Sequence, residues 1–275
     1  MITPRDDWEI DRLDLTGYLD RIRVPPREPS AAALAELHEA HVRTFPFDNI
    51  DVLLDQHPGV GLEAVQEKFV GRGRGGYCFE HATLFAAALE RLGYTVDRRL
   101  GRVGAQARTH AVATVWLEDQ TILTDPGFTL SILRPIALSD GVIDQQDGWE
   151  FRVLKTRLGP VPGWQLYRKR GAEWDLMHTH DELPVHPIDL IVAHHFTSTY
   201  PGIHFRHRLT LAKHGDGAHT TLTNDAVTIR RPGQLTEHQP IEPEEVSAWL
   251  RRMDVSLSPG EEARLLDRIC SSQAE

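Results

Sequence analysis

A cysteine, a histidine and an aspartate stand in this chain in an order that thiol chemistry uses: Cys78, His110 and Asp125. A cysteine sulfur attacks a carbonyl as the thiolate. An imidazole takes the proton and later returns it, and a carboxylate orients the ring and supports its charge. Cys78 is the better placed of only two cysteines, the other being Cys270, because it follows the run Gly71-Arg72-Gly73-Arg74-Gly75-Gly76-Tyr77 and opens a helical pattern. At a helix N-terminus the dipole and the unpaired backbone N–H groups favour thiolate, and the same N–H groups can hold an oxyanion. Gly73, Gly75 and Gly76 offer backbone freedom for a sharp entry and let a substrate approach closely. Spacing alone leaves blander readings open. Cys78 could be a buried structural thiol, His110 a polar strand end, and Asp125 a turn former ahead of Pro126-Gly127. The glycine run lacks the Gly-Lys-Ser/Thr ending of a phosphate-binding loop.

The elements that must position these residues are legible in outline. Ala82, Phe85, Leu89 and Leu92 recur at three- and four-residue steps, with Glu80, Glu90 and Arg91 largely on the other side, so an amphipathic helix is expected over 78–92, stopped by Gly93. Before it, Leu13, Tyr18, Leu19 and Ile22 form one stripe, Ser30 caps a helix over 31–42, and a third helix covers 62–70, which together read as a small bundle. The segment Phe45-Pro46-Phe47-Asp48-Asn49-Ile50 is too apolar for a free linker and is expected to pack inward. After Val96 the period shifts towards two. A strand is expected over 95–103, then a hairpin of 111–117 with 121–124, turning near Glu118-Asp119-Gln120. With a two-residue turn at Glu118-Asp119, Leu117 faces Gln120 and Asp125 falls opposite Val112, on the same face as His110. A three-residue loop without a bulge would separate them. Further strands are expected over 150–155, 163–168 and 173–177, with Pro160, Pro162 and Gly171 as breakers, giving an antiparallel sheet or barrel. A connection over 187–193, strands over 205–211 and 220–230, and two helices opened by Pro243 and Pro259 complete the chain.

A formal net charge of −10 over 275 residues argues against wholesale nucleic-acid or anionic-membrane binding. No apolar run approaches a membrane span, and no signal-like stretch follows the polar start at 1–7, so a reducing cytoplasm is the expected compartment. Fifteen histidines invite a metal reading through His178, His180 and His186, or His194-His195 with His204 and His207. None of these forms a compact ligand set with a second cysteine or a carboxylate, so no metal is expected and most histidines read as surface or hydrogen-bonded residues. Arg98, Arg99, Arg102 and Arg108 make one strand locally basic. A solvated strand face is the favoured reading of it, and a phosphate-binding patch the alternative.

Five motifs together carry a resemblance. Phe45-Pro46-Phe47-Asp48-Asn49, Arg74-Gly75-Gly76-Tyr77-Cys78-Phe79-Glu80, Thr109-His110, Asp125-Pro126-Gly127-Phe128 and Phe196-Thr197-Ser198-Thr199-Tyr200-Pro201 occur in the order of the arylamine N-acetyltransferase motifs, over nearly the whole chain. The resemblance implies an α+β fold with a cysteine-protease-like Cys–His–Asp core. Its parts would be an N-terminal helical bundle (1–93) with the cysteine, a central antiparallel β-barrel (94–193) with the histidine and aspartate, and a C-terminal α/β lid (194–275). It implies Cys78, His110 and Asp125 as the catalytic set, and a ping-pong transfer of an acyl group, acetyl in the ordinary case, from coenzyme A through a cysteine thioester to an arylamine, arylhydrazine or related amine. Acetyl-CoA or another acyl-CoA would be the co-substrate. The pocket is expected to involve Thr109, Gly127, Phe128 and Thr129. Pro126 stands where the family usually has Val and Thr129 where it has Gly, which bears on pocket shape and substrate. Competing readings are a biosynthetic amide synthase of the same family using a larger acyl thioester, a transglutaminase-like cysteine hydrolase, and a binding protein without activity.

Overall fold

The first apolar stripe folds as α1 (Leu15–Ile22), whose N-terminus is capped by Asp14 accepting from the Gly17 N–H at 2.9 Å. Ser30 caps α2 (Ala31–Thr44) in the same way, accepting from the Ala33 N–H at 3.2 Å. A computed structural model describes residues 8–104 and 107–273; the polar start at 1–7 lies outside them. The inward-packing segment forms a two-residue strand, β1 (Phe47–Asp48), followed by a single turn, α3 (Ile50–Leu53). Then come α4 (Leu62–Gln66), running into a π-turn at Glu67–Gly71, and the central helix α5 (Cys78–Arg91).

Helix α5 departs from a simple amphipathic element. Its residues from Cys78 to Leu89 are buried, including Glu80, which sequence reading placed towards the outer side. Glu80 is tolerated because Lys68 Nζ lies 2.8 Å from its Oε1 and the Tyr77 N–H donates to its Oε2 at 3.0 Å. Lys68 also meets Asp51 at 2.8 Å, so the buried ammonium is shared by two carboxylates.

The middle third forms one antiparallel sheet of eight strands: β2 (Thr95–Arg102), β3 (His110–Leu117), β4 (Gln120–Thr124), β5 (Ile136–Ala137), β6 (Ile143–Gln146), β7 (Trp149–Leu158), β8 (Val161–Arg170) and β9 (Glu173–Asp181). Its order is β5-β4-β3-β2-β9-β8-β7-β6, so the two edge strands are consecutive in the chain and the sheet curls into a nearly closed barrel. Leu117 pairs with Gln120 across a two-residue turn in which Glu118 and Asp119 both take positive φ, the twist that suits a tight hairpin. Pro162 does not break the sheet. It sits second in β8, where the ladder to β7 has only just begun.

The last third differs most from expectation. Residues 187–193 are the start of a helix, α6 (Pro187–Thr199), not a connection; its apolar side chains surround it without a polar stripe, and Ile188, Ile191 and Val192 stay exposed. The strand expected over 205–211 is a 3₁₀ turn at His204–Arg206, with β10 (Leu211–Gly215) starting only at its end. The expected strand over 220–230 is a hairpin, β11 (Ala218–Leu222) and β12 (Ala226–Arg230), flanked by β13 (Glu237–Pro240). The sheet order β1-β10-β11-β12-β13 puts β1 of the first region on its edge. Helices α7 (Pro243–Arg252) and α8 (Pro259–Gln273) cover this sheet through Val246, Leu250, Leu265 and Ile269. Among the described residues no helix is long and apolar enough to cross a membrane.

Candidate active site

Cys78 is the first residue of α5 and is buried. The glycines before it are needed for close packing more than for substrate approach. A Cβ on Gly75 would lie 1.9 Å from the Pro46 carbonyl oxygen, and one on Gly76 would lie 2.2 Å from Glu80 Oε2. Gly73 alone of the three takes positive φ. The loop is tied down by the Asp48 N–H donating to the Gly76 carbonyl at 2.7 Å.

His110 begins β3 and Asp125 follows β4, and the register brings the two side chains together: His110 Nε2 lies 3.1 Å from Asp125 Oδ2. With Nε2 engaged, Nδ1 is the ring nitrogen left for the thiol, whose Sγ donates to the Thr109 carbonyl at 3.6 Å. Gly127 completes the approach, since a Cβ there would sit 2.8 Å from the Cys78 Cα and 2.9 Å from the His81 Cβ. Phe128 packs edge-on against the His110 ring at 5.2 Å.

Burial by itself would push the His110 imidazole down. The Asp125 carboxylate, by charge and hydrogen bond, and the Cys78 side chain outweigh it and raise His110 to about 10. Burial would raise Asp125, but His110 and His178 hold it well below the ordinary carboxylate range. The sign for stability follows. A folded value above the unfolded value of about 6.5 means that His110 contributes fully below pH ~6.5 and loses its contribution as pH rises towards the folded value. The unfolding free-energy difference between wild type and His110→Gln, measured in urea, should therefore shrink between pH 6.5 and 10. A difference that stays flat or grows would contradict the ion pair.

Several of the histidines read as surface or hydrogen-bonded residues prove to be buried, most of them hydrogen-bonded, and form the frame of the site. His38, His41, His81, His110, His178, His180, His214 and His219 are all buried. His81 Nε2 can only donate to the Pro46 carbonyl, at 3.3 Å, so its Nδ1 accepts from His41 Nε2 at 2.9 Å and His41 Nδ1 accepts from the Tyr18 hydroxyl at 2.9 Å. His38 accepts from the Asp125 N–H at 3.2 Å and donates to the Leu133 carbonyl at 3.0 Å. His214 and His219 donate to the carbonyls of Ser131 at 3.0 Å and Thr129 at 2.6 Å. The segment after Asp125 is thus clamped from α2, β10 and β11, and Pro126 joins it by accepting from the Ser131 hydroxyl at 3.1 Å. Of the histidines weighed as metal ligands, His178 alone joins a compact cluster among the described residues, with His110 and Asp125. His110 donates to Asp125 Oδ2 at 3.1 Å, and His178 Nε2 lies 3.0 Å from the same oxygen without an aligned hydrogen bond.

A cavity of about 160 Å³ lies over Cys78 and His110, walled by Thr109, Gly127, Phe128 and Thr129 from the barrel side, Phe47 from β1, and Thr197, Ile203 and Phe205 from the last third. Arg98 and Arg99 of β2, and Arg108 ahead of β3, do not form a free basic patch. Arg98 is buried against Glu90 at 2.7 Å and over the Trp8 ring, Arg99 meets Asp97 at 2.8 Å, and Arg108 meets Asp181 at 2.8 Å. A denser group of cations is elsewhere, at Arg168, Lys169, Arg170, Arg230 and Arg231, around a second opening; Arg168 and Arg170 share Asp175, Lys169 meets Glu150 and Arg231 meets Glu237, while Arg230 meets no carboxylate among the described residues. No spacing rule connects β8 to β12 in sequence, which is why reading the chain missed it.

A buried thiol opening a helix, faced by an imidazole and a carboxylate in an apolar pocket, is the equipment of an enzyme that moves acyl groups. The comparisons agree. The N-acetyltransferase family model matches residues 30–259. The arylamine N-acetyltransferase of Mycolicibacterium smegmatis is 36% identical over 239 residues, covering 82% of this chain and 85% of that protein. The solved arylamine N-acetyltransferase of Mycobacterium abscessus superposes with a TM-score of 0.92 at 30% identity, over 98% of this chain and 99% of that one. That of Mycobacterium marinum, in complex with CoA, gives 0.85 at 32% identity, over 94% and 99%. The chain belongs to the arylamine N-acetyltransferase family and is an acyltransferase.

Proposed function

We propose that this enzyme transfers an acetyl group from acetyl-CoA to an arylamine or arylhydrazine through a thioester on Cys78. The observation that carries this is the juxtaposition of Cys78, His110 and Asp125 under a small apolar pocket. His110 takes the Cys78 proton, and the thiolate attacks the thioester carbonyl. The oxyanion is held by backbone N–H groups at the start of α5, and the leaving CoA sulfur receives the proton from His110. The amine then attacks the acyl-cysteine, its proton passes to His110, and the cysteine leaves as thiolate and is reprotonated. Asp125 keeps the ring oriented and its charge supported throughout. The apolar wall from the last third excludes water from the thioester and favours transfer over hydrolysis.

The donor's phosphates have a place. The pocket over Cys78 shares Val103, Phe128 and Thr129 with a neighbouring opening that reaches Arg168 and Arg230, and this in turn shares those two arginines with the basic cluster. Among the described residues the Thr221 hydroxyl, at 3.2 Å, is the hydrogen-bond partner of Arg230, and burial together with the charges of Arg168 and Arg170 pushes its guanidinium down. Crowded cations of this kind are relieved by an incoming polyphosphate. Replacing Arg168 and Arg230 together by Met should raise the KM for acetyl-CoA roughly ten- to hundred-fold. The KM for S-acetyl-pantetheine, which lacks phosphates, should stay near wild type. Equal losses for both donors would place the phosphates elsewhere.

A further inference from the structure

His178 is fully buried, and its Nε2 lies 3.0 Å from Asp125 Oδ2, the oxygen that also faces His110. Neither ring nitrogen makes an aligned hydrogen bond, Nε2 meeting Asp125 by distance alone, and Asp125 Oδ1 has no partner among the described residues. A core imidazole with a single polar neighbour is costly unless that contact has a use. The strand is bent to make the contact. Between β8 and β9 the register slips so that Leu166 pairs with His178 while Tyr167 pairs with Leu176, and the extra residue turns Met177 and His178 both inward. The His178 and His110 rings lie 4.6 Å apart, and Phe128 packs on both.

We propose that His178 is a positioning residue for the acyl transfer described above: its neutral Nε2–H, at 3.0 Å and a ring rotation from alignment, shares Asp125 Oδ2 with His110 and keeps the carboxylate ionised and aimed at the catalytic ring. Its role is to supply the solvation that burial denies the carboxylate. Burial and the neighbouring His110 charge hold His178 below its ordinary value despite Asp125, consistent with a neutral ring. The groups facing it are His110 on β3, Asp125 after β4 and His180 on its own strand, with His38 of α2 behind the Asp125 backbone. His38 and His180 are likewise pushed down by burial, which leaves the Asp125–His110 pair as the charged partner. The inference rests on Cys78 as the acyl-accepting thiol.

The test compares His178→Leu, which removes the donor, with His178→Gln, whose amide can restore one near the same place. The readouts are acetyl transfer and the pH dependence of Cys78 alkylation by iodoacetamide. In the Leu variant kcat should fall roughly ten- to hundred-fold with KM little changed. The acid limb of alkylation should move up by about one pH unit, because Asp125 then protonates more readily and His110 loses its counter-ion. The Gln variant should recover most of both. In ¹⁵N-histidine NMR of the unmodified protein, His178 should be the neutral Nε2–H tautomer, with a proton signal that moves when Asp125 is changed to Asn. An Nδ1–H tautomer overturns the proposal even if the Leu variant does not fold. So does an unchanged acid limb in a folded Leu variant, or a Gln variant no better than Leu. If the acetyl-transfer reading itself is wrong, wild type shows no turnover while the alkylation and NMR results still stand.

Discussion

Replacement of Cys78 by serine is expected to abolish acetyl transfer, with activity falling by at least about four orders of magnitude, while the fold survives. The hydroxyl occupies the same place at the start of α5, but at neutral pH it is a far weaker nucleophile than a thiol, and the other cysteine, Cys270, is exposed on α8. Incubation of wild type with acetyl-CoA and no acceptor should add one acetyl mass to the intact protein, and peptide mapping should place it on Cys78. Cys270 is exposed on α8, on the far side of the last sheet, so Cys270→Ser should acylate and turn over as wild type does. Normal turnover by the Cys78 variant, or an adduct on Cys270, would remove Cys78 from the mechanism.

The second large effect concerns His110 and Asp125 as one unit. The carboxylate is fully buried and the imidazole nearly so, and each is the other's charge partner at 3.1 Å. Removing either leaves an uncompensated group in the core, so His110→Ala and Asp125→Ala should each cost roughly three to four orders of magnitude in kcat/KM. The double variant should be no worse than the poorer single one. Losses that multiply would show the two acting separately. Asp125→Asn keeps the volume and isolates the charge; it should fold with wild-type cooperativity and still lose most activity, since an amide supports the imidazolium poorly. Thermal unfolding of each variant separates loss of function from loss of fold.

How much of this could be read from the chain depends on where the determining contacts lie. The His110–Asp125 pairing was legible because a two-residue turn fixes the parity of an antiparallel hairpin, and Leu117 does pair with Gln120. The start of α5 was legible from its apolar steps and the glycines before it. The role of those glycines was not, because the Pro46 carbonyl that requires Gly75 comes from another segment. Glu80 looked like a solvated first-turn acid, since nothing local announces Lys68 beneath it. His178 was weighed only as a metal ligand, and its place beside Asp125 was not legible: the strand was expected to end at 177, and the slip at Leu166 and Tyr167 breaks the alternation that would assign its face. Helix α6 was missed because a helix with apolar residues all round has no stripe to read.

The two-residue strand β1 has a consequence for how the site comes into being. Phe47 and Asp48 pair with Ala212 and Leu211, and Asn49 hydrogen-bonds to the carbonyls of Phe205 and Arg208 and to the Thr210 N–H. These partners are separated by more than half the chain's length, so their closure is among the most non-local contacts in the molecule and belongs to the slow end of folding. During synthesis at about 5–20 residues per second, the helices and barrel can emerge and pack while this seam waits for β10. Over that interval the thiol of a nascent chain lacks the wall that Ile203 and Phe205 later supply. Protection of Cys78 from water and oxidants is therefore acquired late, as a property of the finished chain.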